Sequence, residues 1–131
     1  MRSFFISRVA SFRYAFQGWH HVLRTQQNIW IHTAIAAVVF FLALWLRLPA
    51  RDWAVLVLTS AVVFAAEFLN TAIEAVVDLA SPDKHPLAKI GKDVGAASVL
   101  VAALAAILIG LLILGPPLWA KLTALFYANK N

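Results

Sequence analysis

Five polar residues lie within an otherwise apolar segment between residues 65 and 80: Glu67, Asn70, Thr71, Glu74 and Asp78. If this segment is a helix, with about 100° between successive residues, the five side chains fall within about a third of its circumference. Each acidic residue at the centre of a membrane helix costs about 2.5–3.5 kcal/mol on insertion scales. Three carboxylates on one such face therefore indicate a functional site.

Three kinds of site would use this acidic face. The carboxylates could pair with Arg13, Arg24 or Lys92 and hold a helix bundle together, although buried ion pairs seldom stabilise strongly. They could form a proton or ion pathway, which commonly uses intramembrane acids. They could also bind Mg²⁺ and phosphates through one or two carboxylates, with another carboxylate as general base. Lys84, Lys89 and Lys92 in the following segment would then balance phosphate charge, an arrangement that suits phosphoryl transfer.

Composition places these residues in a membrane protein. Of the 131 residues, 63% are hydrophobic and 13% are charged, against about 45–50% and about 25% in soluble domains. A chain this small cannot bury such an excess, so lipid must be part of its solvent. The absence of cysteine excludes disulfides, thiolate metal sites and cysteine nucleophiles. The net charge of +5 is distributed as expected for a membrane surface and not for nucleic acid.

The hydrophobic pattern predicts an all-α membrane protein with a single membrane domain over residues 1–131. Apolar residues at three- and four-residue steps predict an amphipathic interfacial helix over 3–25. Runs of about 20 apolar residues or more predict transmembrane helices over 29–48, 53–80 and 94–114. Residues 81–93 form a polar loop. Gly115, Pro116 and Pro117 are expected to end the third span.

Charge and side-chain size predict the orientation and the assembly. Seven Lys and Arg residues lie in the N-terminal segment and the 81–93 loop, against four on the opposite side. The positive-inside rule therefore places the N-terminus and this loop in the cytoplasm, where ATP is available. The third span is rich in glycine and alanine, which favours close helix packing and oligomerisation. Neither GxxxxGK[ST] nor GxGxxG occurs, so the residues alone leave both a membrane enzyme and an ion pathway open.

The run AEFLNTAIEAVVDLASPDKHPLAKIGKDVGAA, residues 66–97, resembles the signature of the bacterial integral-membrane diacylglycerol kinase family. Its HPLAK stretch is most similar to the undecaprenol kinase branch. The resemblance implies a homotrimer of three-span subunits in the bacterial inner membrane. It also implies transfer of the γ-phosphate of ATP to the hydroxyl of a membrane lipid with Mg²⁺, undecaprenol being favoured over diacylglycerol.

The resemblance also assigns roles to residues. Glu67 matches the general base, which also meets the lipid hydroxyl, and Glu74 matches a metal-binding glutamate. Asn28 and His32 lie where the family contacts its lipid substrate, and Asp78 is a further polar site residue. The residues expected to bind ATP are Tyr14, Gln26, Asn70, Glu74, Asp83, His85, Lys92 and Asp93.

Gln26 departs from the family pattern. The stretch RTQQNIWIH resembles a segment of the form KTExNxxIH, in which the glutamate is the second metal ligand. Glutamine can still offer an oxygen to Mg²⁺, but it brings no charge, so metal binding should be weaker. Gln26 supports one alternative for the protein, a catalytically weakened relative that binds lipid or nucleotide. The acidic face alone supports the other, an ion- or proton-coupled membrane protein. For Gln26 itself, the alternative is a residue that caps or bridges the junction before the first span.

Overall fold

The computed structural model describes residues 2–128, with side chains described from residue 10 onward. Over that range all regular structure is helical, in the order α1 (Arg2–Thr25), α2 (Gln27–Trp45), α3 (Ala50–Ala80) and α4 (Pro86–Ala128). The last three helices are long and apolar enough to cross a membrane. The predicted all-α architecture with three apolar spans is therefore confirmed.

The first helix meets the bundle through its C-terminal turns. The Trp19 ring lies 5.0 Å from the Phe68 ring on α3, and Trp30 Nε1 on α2 donates to the Leu23 carbonyl at 3.0 Å. Phe12 and Phe16 are exposed, as expected for side chains that would face lipid. Phe5 and Val9, which belong to the same predicted apolar face, lie outside the described side chains, so the interfacial placement of α1 stays a prediction.

Helix α2 begins and ends at distinct backbone signals. Gln26 separates it from α1 by adopting an extended conformation, with φ −104° and ψ 114°. At the other end the Leu48 N–H donates to the Ala43 carbonyl and the Arg47 N–H donates to the Leu44 carbonyl. This is the Schellman pattern, whose left-handed position usually holds glycine. Arg47 occupies it here with φ 55°.

The polar segment between α3 and α4 is shorter than expected. Helix α4 begins at Pro86, so residues 86–93 of the predicted loop form its first two turns. Proline is favoured at the first helical position because its missing N–H has no partner to lose there. His85 caps this end, since its Nδ1 accepts the Leu87 N–H at 3.2 Å. Between α3 and α4, only residues 81–85 are non-helical.

The prediction that Gly115, Pro116 and Pro117 end the last helix is wrong. Both prolines lie inside α4, which continues to Ala128. The residue before a proline usually leaves the helical region because its Cβ and N–H clash with the ring. Gly115 has no Cβ and Pro116 has no N–H, so each lacks part of that clash. The extension is attached to α2 by Lys121, whose Nζ donates to the Trp45 carbonyl at 2.6 Å.

Two buried groups lie at opposite ends of the bundle. Ala43, Leu56 and Leu114 form an apolar cluster beside the α2–α3 turn. At the other end, where α2 begins, α3 ends and α4 begins, the buried group is polar and contains Glu67, Asn70 and Thr71. Burying polar groups costs free energy unless they are paired. The polar end is therefore the place to look for function.

Candidate functional site

The acidic face of α3 points into a cavity between the helices. Glu67 is only 1% exposed, Glu74 is half-buried, and Asp78 one turn further on is exposed. The cavity has a volume of about 360 Å³. Its remaining walls come from the start of α2 and from the small and apolar side chains of α4. The residues that line it are Gln26, Asn28, Ile31, His32, Glu67, Asn70, Glu74, Ala96, Val99, Leu100 and Ala103.

Glu74 is the centre of a small amide–carboxylate network in this polar cavity. Asn70 Nδ2 donates to its Oε1 at 3.0 Å, and Gln26 Nε2 donates to its Oε2 at 3.2 Å. Gln26 makes no side-chain hydrogen bond that caps α2. The capping alternative is therefore wrong, and Gln26 instead connects the α1–α2 junction to α3.

Two buried oxygen atoms in the cavity wall lack hydrogen-bond donors. Within the described residues, neither Oε1 of Glu67 nor Oδ1 of Asn70 accepts a hydrogen bond. Nε2 of His32 lies 3.1 Å from Glu67 Oε1, which is ion-pair distance without hydrogen-bond angles. The Thr71 hydroxyl pairs with neither oxygen, because it donates to the Glu67 backbone carbonyl at 2.9 Å. Unpaired buried acceptors are uncommon in native proteins and indicate a site for a ligand or ion.

Gly95 on α4 is a site residue that the sequence analysis missed. A Cβ atom built on it would lie 2.5 Å from Asn70 Oδ1, far inside van der Waals contact. Glycine at this position therefore lets α4 approach the Asn70 side chain closely. The small-residue composition of the third span was a signal for close packing, but it did not distinguish Gly95 from the other small residues.

The polar segment and the start of α4 line a second cavity, of about 540 Å³. Three lysines and three aspartates line it, and two of the lysines are paired with acids. Lys92 Nζ lies 2.7 Å from Asp78 Oδ1, which links α4 to α3, and Lys89 pairs with Asp93 one turn along the same helix. Four of the residues predicted to bind ATP line this charged cavity: Asp83, His85, Lys92 and Asp93.

The predicted ATP residues are thus divided between two places. Gln26, Asn70 and Glu74 line the polar cavity beside Glu67, whereas Asp83, His85, Lys92 and Asp93 line the charged cavity nearer the α3–α4 turn. Tyr14 lines neither cavity and is 64% exposed on α1.

The predicted lipid contacts lie where a polar and an apolar cavity adjoin. Asn28 and His32 both line the polar cavity. A third cavity, of about 480 Å³, runs between α2, α3 and α4 and is almost entirely apolar. His32 and Ala103 line both the polar and the apolar cavity. A lipid with a hydroxyl head and a hydrocarbon chain has matching surfaces on the two sides of His32.

The oxygen atoms around Glu74 fit a magnesium ion that substrate phosphates help to bind. Within the described residues there is no cluster of three or more His, Asp or Glu side chains that could hold a metal. Mg²⁺ needs fewer protein ligands than that, since it is usually bound by one or two carboxylates together with phosphates and water. Glu74 supplies one carboxylate, Asn70 carries an unpaired Oδ1 in the same cavity, and Gln26 offers an amide oxygen if its side chain turns over.

Known proteins resemble this chain over most of its length. A diacylglycerol kinase from Synechocystis is 48% identical over 111 residues, which cover 84% of the chain and 63% of that protein. An undecaprenol kinase from Bacillus subtilis is 40% identical over 108 residues, covering 82% and 88%. A diacylglycerol kinase from Escherichia coli is 39% identical over 67 residues, covering 51% and 55%. The chain therefore spans less than two thirds of two of these relatives.

The comparisons confirm the class of protein that residues 66–97 suggested. The relatives are named as kinases of two different lipid alcohols, and the three apolar helices agree with a multi-pass membrane protein. The names do not decide between the two lipids. The family model for prokaryotic diacylglycerol kinase matches residues 13–114, more than half of the sequence, and the chain belongs to this family.

Proposed function

We propose that the protein is an ATP-dependent lipid kinase that transfers the γ-phosphate of ATP to the hydroxyl of a membrane lipid. The observation that carries the proposal is the polar cavity, in which Glu67 and Glu74 face the same space from positions two turns apart on α3. A base and a phosphate-binding group must face the same space for a hydroxyl and a phosphoryl group to meet and react. Family membership supports the same reaction.

Glu67 acts as the general base in this proposal. As the lipid oxygen forms its bond to the γ-phosphorus, the bond from phosphorus to the ADP oxygen breaks and ADP leaves with the electron pair. The hydroxyl proton passes to the Glu67 carboxylate, which lies in a water-poor site. Bound Mg²⁺ would neutralise phosphate charge. Glu74 and Gln26 would hold it, and Asn70 would keep Glu74 in place.

The charged cavity is the proposed place for the rest of the nucleotide. Lys92 would exchange its contact with Asp78 for ATP phosphates, while Asp83, His85 and Asp93 would contact the nucleoside part. Tyr14 is proposed near the phosphates on the resemblance alone, because it lines neither cavity. Replacing Lys92 with alanine should raise the KM for ATP or lower kcat without altering lipid preference.

Undecaprenol is proposed ahead of diacylglycerol as the acceptor. The support is the HPLAK stretch, which is similar to the undecaprenol kinase branch. The overall identities are 48% to a diacylglycerol kinase and 40% to an undecaprenol kinase, so they do not add to this choice. The apolar cavity accepts a hydrocarbon chain of either kind.

The proposed setting is the bacterial inner membrane, with homotrimeric assembly and α1 lying in the interface. The N-terminus and residues 81–93 are placed in the cytoplasm by their positive charge. Because the chain has no cysteine, single cysteines report this directly. A cysteine at Lys84 should resist an impermeant thiol reagent in intact cells, whereas one at Asp52 should react. Labelling at Lys84 from outside would contradict the orientation.

A second candidate is a catalytically weakened family member that binds nucleotide or lipid. It is favoured by the Gln26–Glu74 hydrogen bond, which takes the place of a second carboxylate at the proposed metal site. The decisive experiment incubates purified protein with radiolabelled ATP, Mg²⁺ and either undecaprenol or diacylglycerol. Faster labelling of undecaprenol supports the full proposal. Nucleotide binding without labelled lipid supports the weakened form, and the absence of both supports the ion-coupled alternative.

A further inference from the structure

His32 is the basic side chain that the structure brings to the proposed base. Its Nε2 lies 3.1 Å from Glu67 Oε1, and its side chain is 18% exposed while that of Glu67 is 1% exposed. Within the described residues no lysine or arginine forms an ion pair with Glu67. A buried carboxylate in a membrane helix costs free energy unless a hydrogen-bond donor pairs with it. The imidazole N–H is the donor at hand.

We infer that His32 is a positioning residue for Glu67. In this role its Nε2–H donates to Oε1 and leaves Oε2 as the oxygen that meets the acceptor hydroxyl. A neutral imidazole suffices, because one ring nitrogen carries a hydrogen in the neutral form. The present 3.1 Å contact becomes a hydrogen bond once the ring turns to aim its N–H at Oε1. This role rests on the proposed function and differs from a direct contact between His32 and lipid.

The other groups around Glu67 leave this role to His32. The Thr71 hydroxyl is used by a backbone carbonyl, and the amides of Gln26 and Asn70 donate to Glu74. The wall contributed by α4 contains Ala96, Val99, Leu100 and Ala103, none of which can donate a side-chain hydrogen bond. The titratable groups that line the cavity are His32, Glu67 and Glu74.

The location of His32 also suits this role. It borders both the polar cavity and the apolar cavity, so the hydroxyl of a lipid whose chain occupies the apolar side would arrive next to Glu67. A base whose oxygen is held in one orientation at that junction is ready for the proton. Misplacement of a catalytic group by about 1 Å can lower a rate by about 10²-fold.

The test compares two substitutions that differ in one property. His32→Gln keeps an N–H donor, and His32→Leu removes it at similar bulk. We expect His32→Leu to lower kcat by about 10- to 100-fold at saturating lipid, with the KM for ATP unchanged. His32→Gln should recover most of kcat. His20→Leu, an exposed histidine on α1 outside the cavity, is the control and should behave as the native protein.

A different kinetic pattern would overturn the inference. If His32 only contacts lipid, both His32 variants should raise the KM for lipid while kcat at saturating lipid stays near the native value. Equal loss of kcat in the two variants would show that the N–H donor is not what matters. Thermal unfolding of each variant in detergent identifies a folding defect. If His32→Gln unfolds early, His32→Asn replaces it and also keeps a donor; if His32→Leu unfolds early, His32→Met replaces it and also lacks one.

Infrared spectroscopy tests the pair without any turnover. The difference spectrum between the native protein and Glu67→Gln isolates the Glu67 signal. We expect the Glu67 band to lie at the same frequency in the native protein and in His32→Gln and to shift in His32→Leu, because only the last lacks a donor to Oε1. A band at the same frequency in all three proteins would overturn the inference. Because this readout needs no ATP or lipid, it separates failure of the inference from failure of the proposed kinase activity.

Discussion

The two ends of the helix bundle are built on opposite principles. At the end near the α2–α3 turn, the buried side chains are Ala43, Leu56 and Leu114. The backbone there is satisfied locally by the Schellman turn. At the end near the α3–α4 turn, the buried group includes Glu67 and Asn70, each with an oxygen that accepts no hydrogen bond among the described residues. The first end contributes stability, and the second keeps polar groups ready for ligands.

The comparison shows that the polar end of the bundle carries a cost in folding free energy. An unpaired buried polar group destabilises a protein by about 1–3 kcal/mol, and the polar end has two such atoms. The apolar end offsets this with packing and with Lys121, which bonds the Trp45 carbonyl and also lies 4.1 Å from the centre of the Trp45 ring. Substitutions at the two ends should therefore separate activity from stability.

The largest expected effect comes from Glu67→Gln, which keeps the shape of the side chain and removes the proton acceptor. We expect turnover to fall by about 10²–10⁴-fold, the usual contribution of a general base, while thermal stability is kept or raised because a buried charge is lost. Leu56→Ala at the apolar end should do the reverse. It should lose about 2–5 kcal/mol of stability and keep its turnover per folded molecule. Near-native turnover of Glu67→Gln would rule out its role.

Gly95→Ala should have the next largest effect. The added Cβ would lie 2.5 Å from Asn70 Oδ1, so the Asn70 side chain or helix α4 must move, and the hydrogen bond from Asn70 to Glu74 would be disturbed. We expect turnover to fall by about 10²-fold, as for other small displacements of catalytic groups. Gly110→Ala is the matched control, because nothing lies within 4 Å of its added Cβ. Equal activity of the two variants would contradict the close approach of α4 to the Asn70 side chain.

Gln26→Glu should change the magnesium requirement by a smaller factor. The variant places a second carboxylate where the native amide donates to Glu74 at 3.2 Å. Charge count tunes affinity for hard cations, so the Mg²⁺ concentration for half-maximal activity should fall on the order of tenfold, which is about 1.4 kcal/mol. As a control, Glu74→Gln in the native background removes the remaining charged ligand and should lower activity as far as Glu67→Gln does.

Thermal unfolding gives an independent measure of the same magnesium site. Without Mg²⁺ the Gln26→Glu protein should unfold at a lower temperature than the native protein, because two carboxylates repel each other. Added Mg²⁺ should stabilise it more than it stabilises the native protein. An unchanged Mg²⁺ dependence of both activity and unfolding in this variant, together with an active Glu74→Gln protein, would place the metal elsewhere.

Arg47→Gly should have the smallest effect and acts only at the apolar end. Arg47 has φ 55° at the end of α2, a left-handed conformation that costs an L-residue about 1–2 kcal/mol. Glycine removes that cost but loses more entropy on folding, so a net gain of about 0.5–1 kcal/mol is expected in detergent. Arg51→Gly removes the same charge from helical backbone in α3 and should lower stability. Loss of stability in Arg47→Gly would contradict the left-handed conformation of Arg47 in this turn.

Much of the site could be predicted because it lies on one helix. The positions of Glu67, Asn70 and Glu74 on a common face follow from their spacing and the helical period, and the structure brings these three side chains to one cavity. The structure also brings Lys92 and Asp93 to one cavity with Asp83 and His85. The division of the ATP residues between two cavities was not foreseen, since it depends on how far α4 extends towards the polar segment.

The ends of the helices were harder to predict than their existence. Proline was taken as a stop signal at Pro116, yet α4 continues because the glycine before it relieves the steric clash and Lys121 attaches the extension to α2. At the other end Pro86 starts the helix with His85 as its cap. Such outcomes depend on local backbone geometry and on contacts with other helices, both of which a hydrophobicity pattern omits.

The sequence by itself determined that this is a membrane protein with three apolar helices and one acidic face, because composition and helical period are properties of the chain alone. The tertiary structure decided which groups meet that face. Gln26 reaches Glu74, His32 reaches Glu67, and Gly95 allows Asn70 its place. Contacts between helices depend on the rotation and shift of one helix against another. Those are set by the packing of all the side chains together and cannot be found by counting residues along one helix.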